Sequence, residues 1–298
     1  FDVACFLNIG RDHISPIEHP TFEDYFESKL RIFDQAKTAV VNLGTDEVNR
    51  VLEAASTAER LVTVGVEHPE ASLWVSDVRM VGFNIEFNLH GLSADEPAAG
   101  EKILLGIAGD FNVENALVAI AAAREIGIGI DAIKEGLSKF RVPGRMEVVE
   151  SKDGRVVCVV DYAHNRMSFD ALYRSTRVEY PGKEMISVFG CPGYKAYDRR
   201  KDLGEISGQY SDLVILTEED PGEEPVENIC RDIAQYVAQG TSDYSIVPDR
   251  GEAIKQAVMS CDEPTVILLT GKGAETRQKR GIEYIDCPSD VDYAKQYL

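Results

Sequence analysis

The chain has 298 residues, of which 44% are hydrophobic and 28% charged, so it is long enough for two globular domains. Its 51 acidic and 31 basic residues give a formal net charge of −20, which argues against a nucleic-acid partner but does not exclude a phosphorylated small molecule. No apolar run approaches the roughly 20 residues that span a bilayer, and no secretory signal is visible. The six cysteines form no C-x-x-C pair. We therefore expect a cytoplasmic protein with reduced thiols and no membrane partner.

The first half of the chain is predicted to alternate strands and helices. The segment "SLWVSDVRMVGFNIEFNLHG" has a period near two and is interrupted by Gly and Asn, which predicts antiparallel strands. The other predicted elements are strands "DVACFLNI", "TAVVNL" and "RLVTVGV", and helices "TFEDYFESKLRIFDQA", "VENALVAIAAAREIGI" and "IDAIKEGLSKF".

Pro143-Gly144 is the strongest boundary signal, because this pair interrupts both helices and strands. Beyond it, strands separated by helical segments predict parallel βαβ units and therefore an α/β fold. The predicted strands are 156–161, 185–190, 212–217 and 265–270, and the predicted helices lie near 168–179, 200–210, 226–238 and 251–260.

Polar or glycine-rich segments follow all four of these strands. They are "DYAHN", "GCPGYKAYDRR", "TEEDPGEEP" and "TGKGAE". Because ligands bind beyond the carboxyl ends of strands in an open α/β sheet, the four segments together predict a site. No G-x-G-x-x-G lies between a strand and a helix, and the chain contains no G-x-x-x-x-G-K-[ST] phosphate loop.

The first half holds further candidates, each with an ordinary alternative. "NIGRDH" places His13 just after the opening strand. From its spacing alone, Lys29 belongs on a solvated helix face. Asn112 and Asn115 lie at a helix start, where N-capping would explain one asparagine better than two.

The chain resembles the Mur ligases, and most closely the MurE-type UDP-N-acetylmuramyl-tripeptide synthetases. The resemblance covers nearly the whole chain and rests on the segments "NIGRDH", "YFESKLRIF", "GDFNVENALVAI", "PGRMEVV", "VDYAHN", "FGCPG", "RRKDLGEI", "TEEDPGEEP" and "GKGAE". It implies that residues 1–142 are the parallel-sheet remainder of the central ATPase domain. It implies equally that residues 143–298 are the Rossmann-like C-terminal domain.

The resemblance also implies the chemistry. The expected protein is a monomeric, ATP-dependent, ADP-forming ligase that uses Mg²⁺. It extends a UDP-linked muramyl dipeptide with a free diamino acid through an acyl phosphate.

Residue roles follow position by position from the same resemblance. His13 matches a Mg²⁺ ligand, and Lys29 matches a lysine that is carbamylated so that its oxygens help to hold the metal. The positions that match nucleotide-binding residues are Asn112 and Asn115 for adenine, Arg145 for the ATP phosphates, Asp161 for ribose, and His164 in the same motif. For His164, a structural role at a turn remains the alternative.

The departures from the family pattern concern the incoming amino acid. Relatives that add diaminopimelate carry an Asn-Pro-Arg turn, where this chain has Asp220-Pro221-Gly222. A second carboxylate-binding arginine is replaced by Lys195, so bidentate recognition is weakened at both places. Acidic residues crowd the same turn, and Gly271 and Glu275 complete the predicted substrate set. An acidic pocket suits an ammonium group, so we favour L-lysine over meso-diaminopimelate. For the acids other than Asp220 and Glu275, solvation is the alternative explanation.

In the family, a uridine-nucleotide domain and a phosphate loop precede "NIGRDH". We therefore expect the 298 residues to be inactive alone. The alternatives are a folylpolyglutamate synthetase-like glutamate ligase and a non-catalytic binding subunit with the same fold. A nicotinamide dehydrogenase is disfavoured by the missing dinucleotide motif.

Overall fold

The computed structural model describes residues 1–10, 19–81, 84–92, 99–240 and 243–298. These residues form two compact units, Phe1–Phe140 and Arg141–Leu298. None of the helices in the described ranges is both long and apolar enough to cross a membrane.

The first unit is built on one six-stranded sheet. Its strands are β1 (Val3–Phe6), β2 (Thr38–Asn42), β3 (Arg60–Val66), β4 (Leu73–Val81), β5 (Asn84–His90) and β6 (Glu101–Leu105), and its helices are α1 (Phe22–Leu30), α2 (Val48–Ala55), α3 (Phe111–Glu125) and α4 (Ile130–Lys139). The strands lie side by side in chain order. β1 to β4 pair in parallel, whereas β4, β5 and β6 pair antiparallel, which confirms the antiparallel segment predicted from the sequence.

Local sequence explains the elements that carry candidate residues. β2 is buried at all five positions and lies at the interior of the sheet. α1 begins after Thr21, whose hydroxyl oxygen accepts the N–H of Asp24 at 3.1 Å. α3 buries the apolar positions Val113 and Leu117, as its helical period predicted.

The second unit contains a second six-stranded sheet and a separate hairpin. Its strands are β7 (Glu147–Glu150), β8 (Val156–Asp161), β9 (Glu184–Phe189), β10 (Leu213–Leu216), β11 (Asp243–Ile246), β12 (Thr265–Thr270), β13 (Arg277–Arg280) and β14 (Glu283–Asp286), and its helices are α5 (Arg166–Glu179), α6 (Tyr197–Tyr210), α7 (Val226–Val237), α8 (Arg250–Met259) and α9 (Asp290–Tyr297).

The strand order of this sheet is β11-β10-β9-β12-β8-β7. The first five pair in parallel and β7 pairs antiparallel with β8, whereas β13 and β14 form the hairpin. The predicted strands 156–161 and 265–270 are confirmed at both ends, and the other two predicted strands shift by about one residue. The α/β fold with parallel βαβ units is therefore confirmed.

Candidate functional site

Four loops meet at one edge of the second sheet. β10, β9, β12 and β8 are consecutive parallel neighbours, so their carboxyl ends lie at the same edge. The loops that follow them are the four polar segments identified in the sequence. The predicted arrangement of these segments along one rim is therefore confirmed.

Asp161 ends β8 and is only 4% exposed. Its Oδ1 accepts the N–H of Ala163 at 2.8 Å, and its Oδ2 accepts the N–H of Met146 at 2.9 Å. Burial raises the pKa of Asp161, although these two donors and Arg145, whose Nη1 lies 3.8 Å from Oδ1, act in the opposite direction. The carboxylate thus holds the local backbone and keeps one further acceptor direction on each oxygen.

Two glycines bring Arg145 close to the loop after β12. A Cβ added to Gly144 would lie 2.2 Å from the backbone N of Ala274, and one added to Gly273 would lie 2.8 Å from the carbonyl oxygen of Gly144. Both glycines have positive φ, at 68° and 55°. The Arg145 guanidinium carbon lies 4.9 Å from the centroid of the Tyr162 ring, a cation–π contact that the sequence did not predict.

His164 is held by its own turn. Its Nδ1 lies 2.8 Å from the carbonyl oxygen of Tyr162, so the Nδ1 hydrogen is the donor. Its ring contacts the Tyr162 ring edge-to-face at 4.9 Å. These contacts support the structural role that the sequence left open for His164.

Lys272 occupies the centre of the acidic rim and was not predicted from the sequence. It is 2% exposed, and its Nζ lies 2.9 Å from Asp220 Oδ1 and 2.6 Å from Glu275 Oε2. Burial acts to lower the pKa of Lys272, but its bonds with Glu275 and Asp220 outweigh burial and raise it. The two acids expected to attract a substrate ammonium therefore already share an internal one. The sequence pattern that could have indicated Lys272 is a lysine flanked by two glycines directly after a buried strand.

Two further acids of the same turn are paired with arginines. Glu218 is 4% exposed and accepts bonds from Arg280 Nε at 2.9 Å and Nη2 at 2.5 Å. Glu224 accepts two bonds from Arg200, from Nη1 at 2.9 Å and Nη2 at 2.7 Å. These bidentate pairs show that most of the acidic turn is neutralised from within.

Glu219 differs from its neighbours. It is 9% exposed, and within the described ranges its carboxylate accepts no hydrogen bond and forms no ion pair. Burial raises its pKa to about 8 against the nearby positive charges of Arg250, Arg199 and Lys272. A Cβ on Gly271 would lie 2.2 Å from Glu219 Oε2, so a side chain at position 271 would displace this carboxyl group.

The remaining substrate candidates lie on exposed loops. Lys195 is exposed between Tyr194 and Ala196, which have left-handed φ values of 53° and 51°. Gly222 has a φ of 59° and lines an open groove of about 430 Å³. The nearest atom to a Cβ on Gly222 would be the Gly281 carbonyl oxygen at 3.7 Å, so this groove has space for a side chain.

The candidates in the first unit are placed as follows. Lys29 is exposed on α1, with its Nζ 5.2 Å from the centroid of the Tyr25 ring. His13 lies outside the described residues. No group of three or more His, Cys, Asp or Glu side chains suited to a metal occurs within the described ranges.

Asp110 occupies the N-cap position of α3, so N-capping by the two asparagines is not observed. Asn112 Nδ2 donates to the Ala108 carbonyl oxygen at 2.6 Å, and Asn115 Nδ2 donates to Asn112 Oδ1 at 3.2 Å. Asn115 is exposed, and its Oδ1 accepts no hydrogen bond from any residue that the structure describes. A ligand would therefore meet the amide of Asn115 before that of Asn112.

Comparison with known proteins gives consistent results over both units. The family model of the Mur ligase middle domain matches residues 1–123, and that of the Mur ligase glutamate ligase domain matches residues 144–273. A protein of Streptococcus sanguinis (strain SK36) named "UDP-N-acetylmuramoyl-L-alanyl-D-glutamate--L-lysine ligase" is 37% identical over all of this chain and 58% of its own length. A protein of the same name from Enterococcus faecalis (strain ATCC 700802 / V583) is 36% identical over 99% of this chain and 57% of its own.

Solved structures match as well. A UDP-N-acetylmuramoyl-L-alanyl-D-glutamate–2,6-diaminopimelate ligase matches with a TM-score of 0.61 and 26% identity, over 99% of this chain and 60% of that one. A folylpolyglutamate synthase of Thermotoga maritima matches with a TM-score of 0.64, but at 21% identity over 90% of this chain and 57% of that one it shows the fold alone. The chain spans less than two thirds of the length of these relatives. Because the two family models together cover most of both units, the chain belongs to the Mur ligase family.

Proposed function

We propose that this protein acts in an ATP-dependent, ADP-forming ligase that adds L-lysine to UDP-N-acetylmuramoyl-L-alanyl-D-glutamate. The names and identities of the relatives from Streptococcus and Enterococcus support the reaction. In this proposal, residues 1–142 belong to the central ATPase domain and residues 143–298 form the C-terminal domain. The protein works as a cytoplasmic monomer whose partners are the UDP-linked muramyl dipeptide and the free diamino acid.

The chemistry requires activation of a carboxylate. ATP supplies the phosphoryl group that converts the carboxylate into an acyl phosphate with loss of ADP. The amine of the incoming amino acid then attacks the acyl carbon, and phosphate leaves. The reacting groups are anionic, so basic side chains and Mg²⁺ are needed to neutralise them.

For ATP, we propose Asn115 as the principal adenine contact, supported by its exposed amide, with Asn112 holding it. Arg145 would contact the phosphates, because its side chain is 44% exposed although it lies near Asp161. Asp161 would accept a ribose hydroxyl with its remaining acceptor capacity. His164 would shape the same turn.

For Mg²⁺, the proposed ligands are His13 and a carbamylated Lys29. An ammonium group cannot ligate a cation, whereas a carbamate offers the oxygen atoms that Mg²⁺ prefers. The exposed Lys29 amine is accessible to CO₂, which is the observation that fits this modification. Metal at this site would stabilise developing negative charge.

The preference for lysine rests on one observation above all: Glu219 is a nearly buried carboxyl group at the rim, and no cation among the described residues is bonded to it. Asp220 and Glu275 contribute through Lys272, which they hold in place, and Gly271 gives Glu219 room. Lys195 would meet the amino acid's own carboxylate as a single cation. With glycine at position 222, the turn contributes no arginine to the groove, and Arg280, which does line the groove, is already paired with Glu218.

Phosphate release by the complete gene product, offered lysine, diaminopimelate, ornithine or glutamate in turn, tests the proposal. Release with lysine well above the other three is expected. Equal rates with lysine and diaminopimelate would contradict the argument from Gly222 and Lys195, and preference for glutamate would favour the folylpolyglutamate synthetase-like alternative. No turnover by the complete product would favour a binding subunit. The 298 residues alone, which contain no phosphate loop, are proposed to be inactive.

A further inference from the structure

One charged pair at the rim has no part in the proposed binding of ATP or of the lysine ammonium. Arg200, on α6, is 2% exposed, and its guanidinium also donates to Asp232 at 2.7 Å. Its bidentate partner Glu224 lies on the acidic turn after β10. A salt bridge this well buried is destabilised strongly if one partner is removed.

Glu224 also reaches the neighbouring loop directly. Its Oε2 accepts the backbone N–H of Tyr194 at 2.6 Å. The two loops meet again where the N–H of Gly193 donates to the Asp220 carbonyl oxygen at 3.3 Å. A Cβ on Gly193 would lie 1.8 Å from the Pro221 carbonyl oxygen, so the backbones are in direct contact there. The loop after β9 is therefore fixed to the acidic turn at several points.

The fixed loop is strained on both sides of Lys195. Tyr194 and Ala196 have φ values of 53° and 51°, which residues other than glycine adopt only at an energetic cost. Such conformations persist where surrounding contacts determine them, and they concentrate at functional sites. The Glu224 carboxylate accepts a hydrogen bond from the backbone N–H of Tyr194, one of these two residues.

We infer that Glu224 is a positioning residue: with Arg200, it holds the strained loop so that Lys195 faces the carboxylate of the incoming amino acid. This inference rests on the proposed function and adds to it a residue that acts through Lys195 rather than on the substrate. Loss of Glu224 should therefore weaken amino-acid binding and leave ATP binding unchanged.

A double-mutant cycle in the complete gene product tests the inference. Glu224→Ala should raise the KM for the amino acid about tenfold and change the KM for ATP by less than about twofold. Lys195→Ala and the double variant should have equal KM values, because Glu224 acts only through Lys195. Glu224→Gln keeps an acceptor oxygen and should show a smaller rise. Glu227→Ala, which removes an exposed glutamate of α7, is the control with the same charge change.

The cycle is measured with the amino acid that the wild type uses fastest. The amino acid that the wild type prefers tests the proposed function. The difference between the effect of Glu224→Ala in the wild type and its effect in Lys195→Ala tests the role of Glu224. If Glu224→Ala does not fold, the cycle is completed with Glu224→Gln. Multiplicative effects of the two single substitutions on KM would overturn the inference. So would a parallel rise of the KM for ATP, because that outcome indicates a general loss of structure.

Discussion

The affinity for L-lysine should depend on the ionisation of Glu219. Burial raises the pKa of this carboxyl group to about 8, and Asp220 adds to the rise. Arg250, Arg199 and Lys272 oppose it without overcoming burial. An ammonium group binds the ionised form, so its binding lowers the pKa of Glu219 and releases a proton.

The magnitude follows from the pKa. At pH 7, one unit below a pKa of about 8, roughly one tenth of Glu219 is ionised. The side-chain amine of lysine stays charged up to about pH 10 and adds no dependence in this range. The KM for lysine should therefore fall about tenfold per pH unit between pH 6 and 7.5 and become constant above about pH 8.5.

Phosphate release at saturating ATP, measured from pH 6 to 9, checks this dependence. Glu219→Gln should raise the KM for lysine and remove its pH dependence, whereas Glu227→Gln should behave as the wild type. A wild-type KM for lysine that is constant from pH 6 to 8.5 would refute this assignment, and so would a Glu219→Gln variant that retains the wild-type KM at pH 8.5. A pH-dependent KM for ATP of the same shape would assign the titration to another group.

The same shift predicts a stability change. Because folding raises the pKa of Glu219 from 4.5 to about 8, the folded state binds the proton more tightly than the unfolded state. The free energy of unfolding should thus fall as the pH rises from about 4.5 to 8, by an amount on the order of 4 kcal/mol. Urea unfolding of Glu219→Gln at pH 5 and pH 8.5 should show a smaller difference than the wild type, and an unchanged difference would contradict the assignment.

Three further predictions test separate parts of the rim and the first unit. Gly222→Arg should increase the use of diaminopimelate relative to lysine, because the groove has space for the new guanidinium; an unchanged ratio of phosphate-release rates would show that the groove does not contact the amino acid. Lys272→Met should lower the free energy of unfolding by about 3 kcal/mol, since it leaves two carboxylates without their cation, while the exposed Lys255→Met should change it by less than about 0.5 kcal/mol in the same urea titration. Asn115→Ala should raise the KM for ATP about tenfold without changing the melting temperature. Asn112→Ala should affect both quantities because its amide also bonds to the helix start, and equal effects from the two variants would contradict the distinction.

The regular core of each unit was predictable because apolar periodicity determines it. Residues 156–161 form a buried strand, and so do residues 265–270, since an uninterrupted apolar run in a parallel sheet has both faces covered. The strand Asp243–Ile246 was missed because it has no buried residue and a weak apolar pattern. The strand Glu283–Asp286 was missed for the same reason, as all four of its residues are exposed.

The candidate site was predictable as a location but not as a set of contacts. Strand ends and turn composition indicated the rim, and Asp161 does end its strand. The partners of Glu218, Asp220 and Glu224 lie 62, 52 and 24 residues away along the chain. These partners lie on helix α6, on the loop after β12 and on the β13-β14 hairpin, so the tertiary fold brings them to the turn and no local pattern encodes such distances.

These distant cations reduce the net negative charge of the acidic turn. Five acids in seven residues suggest a strongly negative pocket, yet Arg280, Lys272 and Arg200 neutralise three of the carboxylates that would form it. Carboxylates that are already paired with an internal cation have their charge compensated and attract a second ammonium less strongly. In the proposed function, specificity depends on Glu219, which forms no ion pair within the described residues and whose burial cost a bound ammonium would offset. In this proposal, a family member would change its amino acid by placing an internal cation beside this one buried acid, while the number of acids in the turn stayed the same.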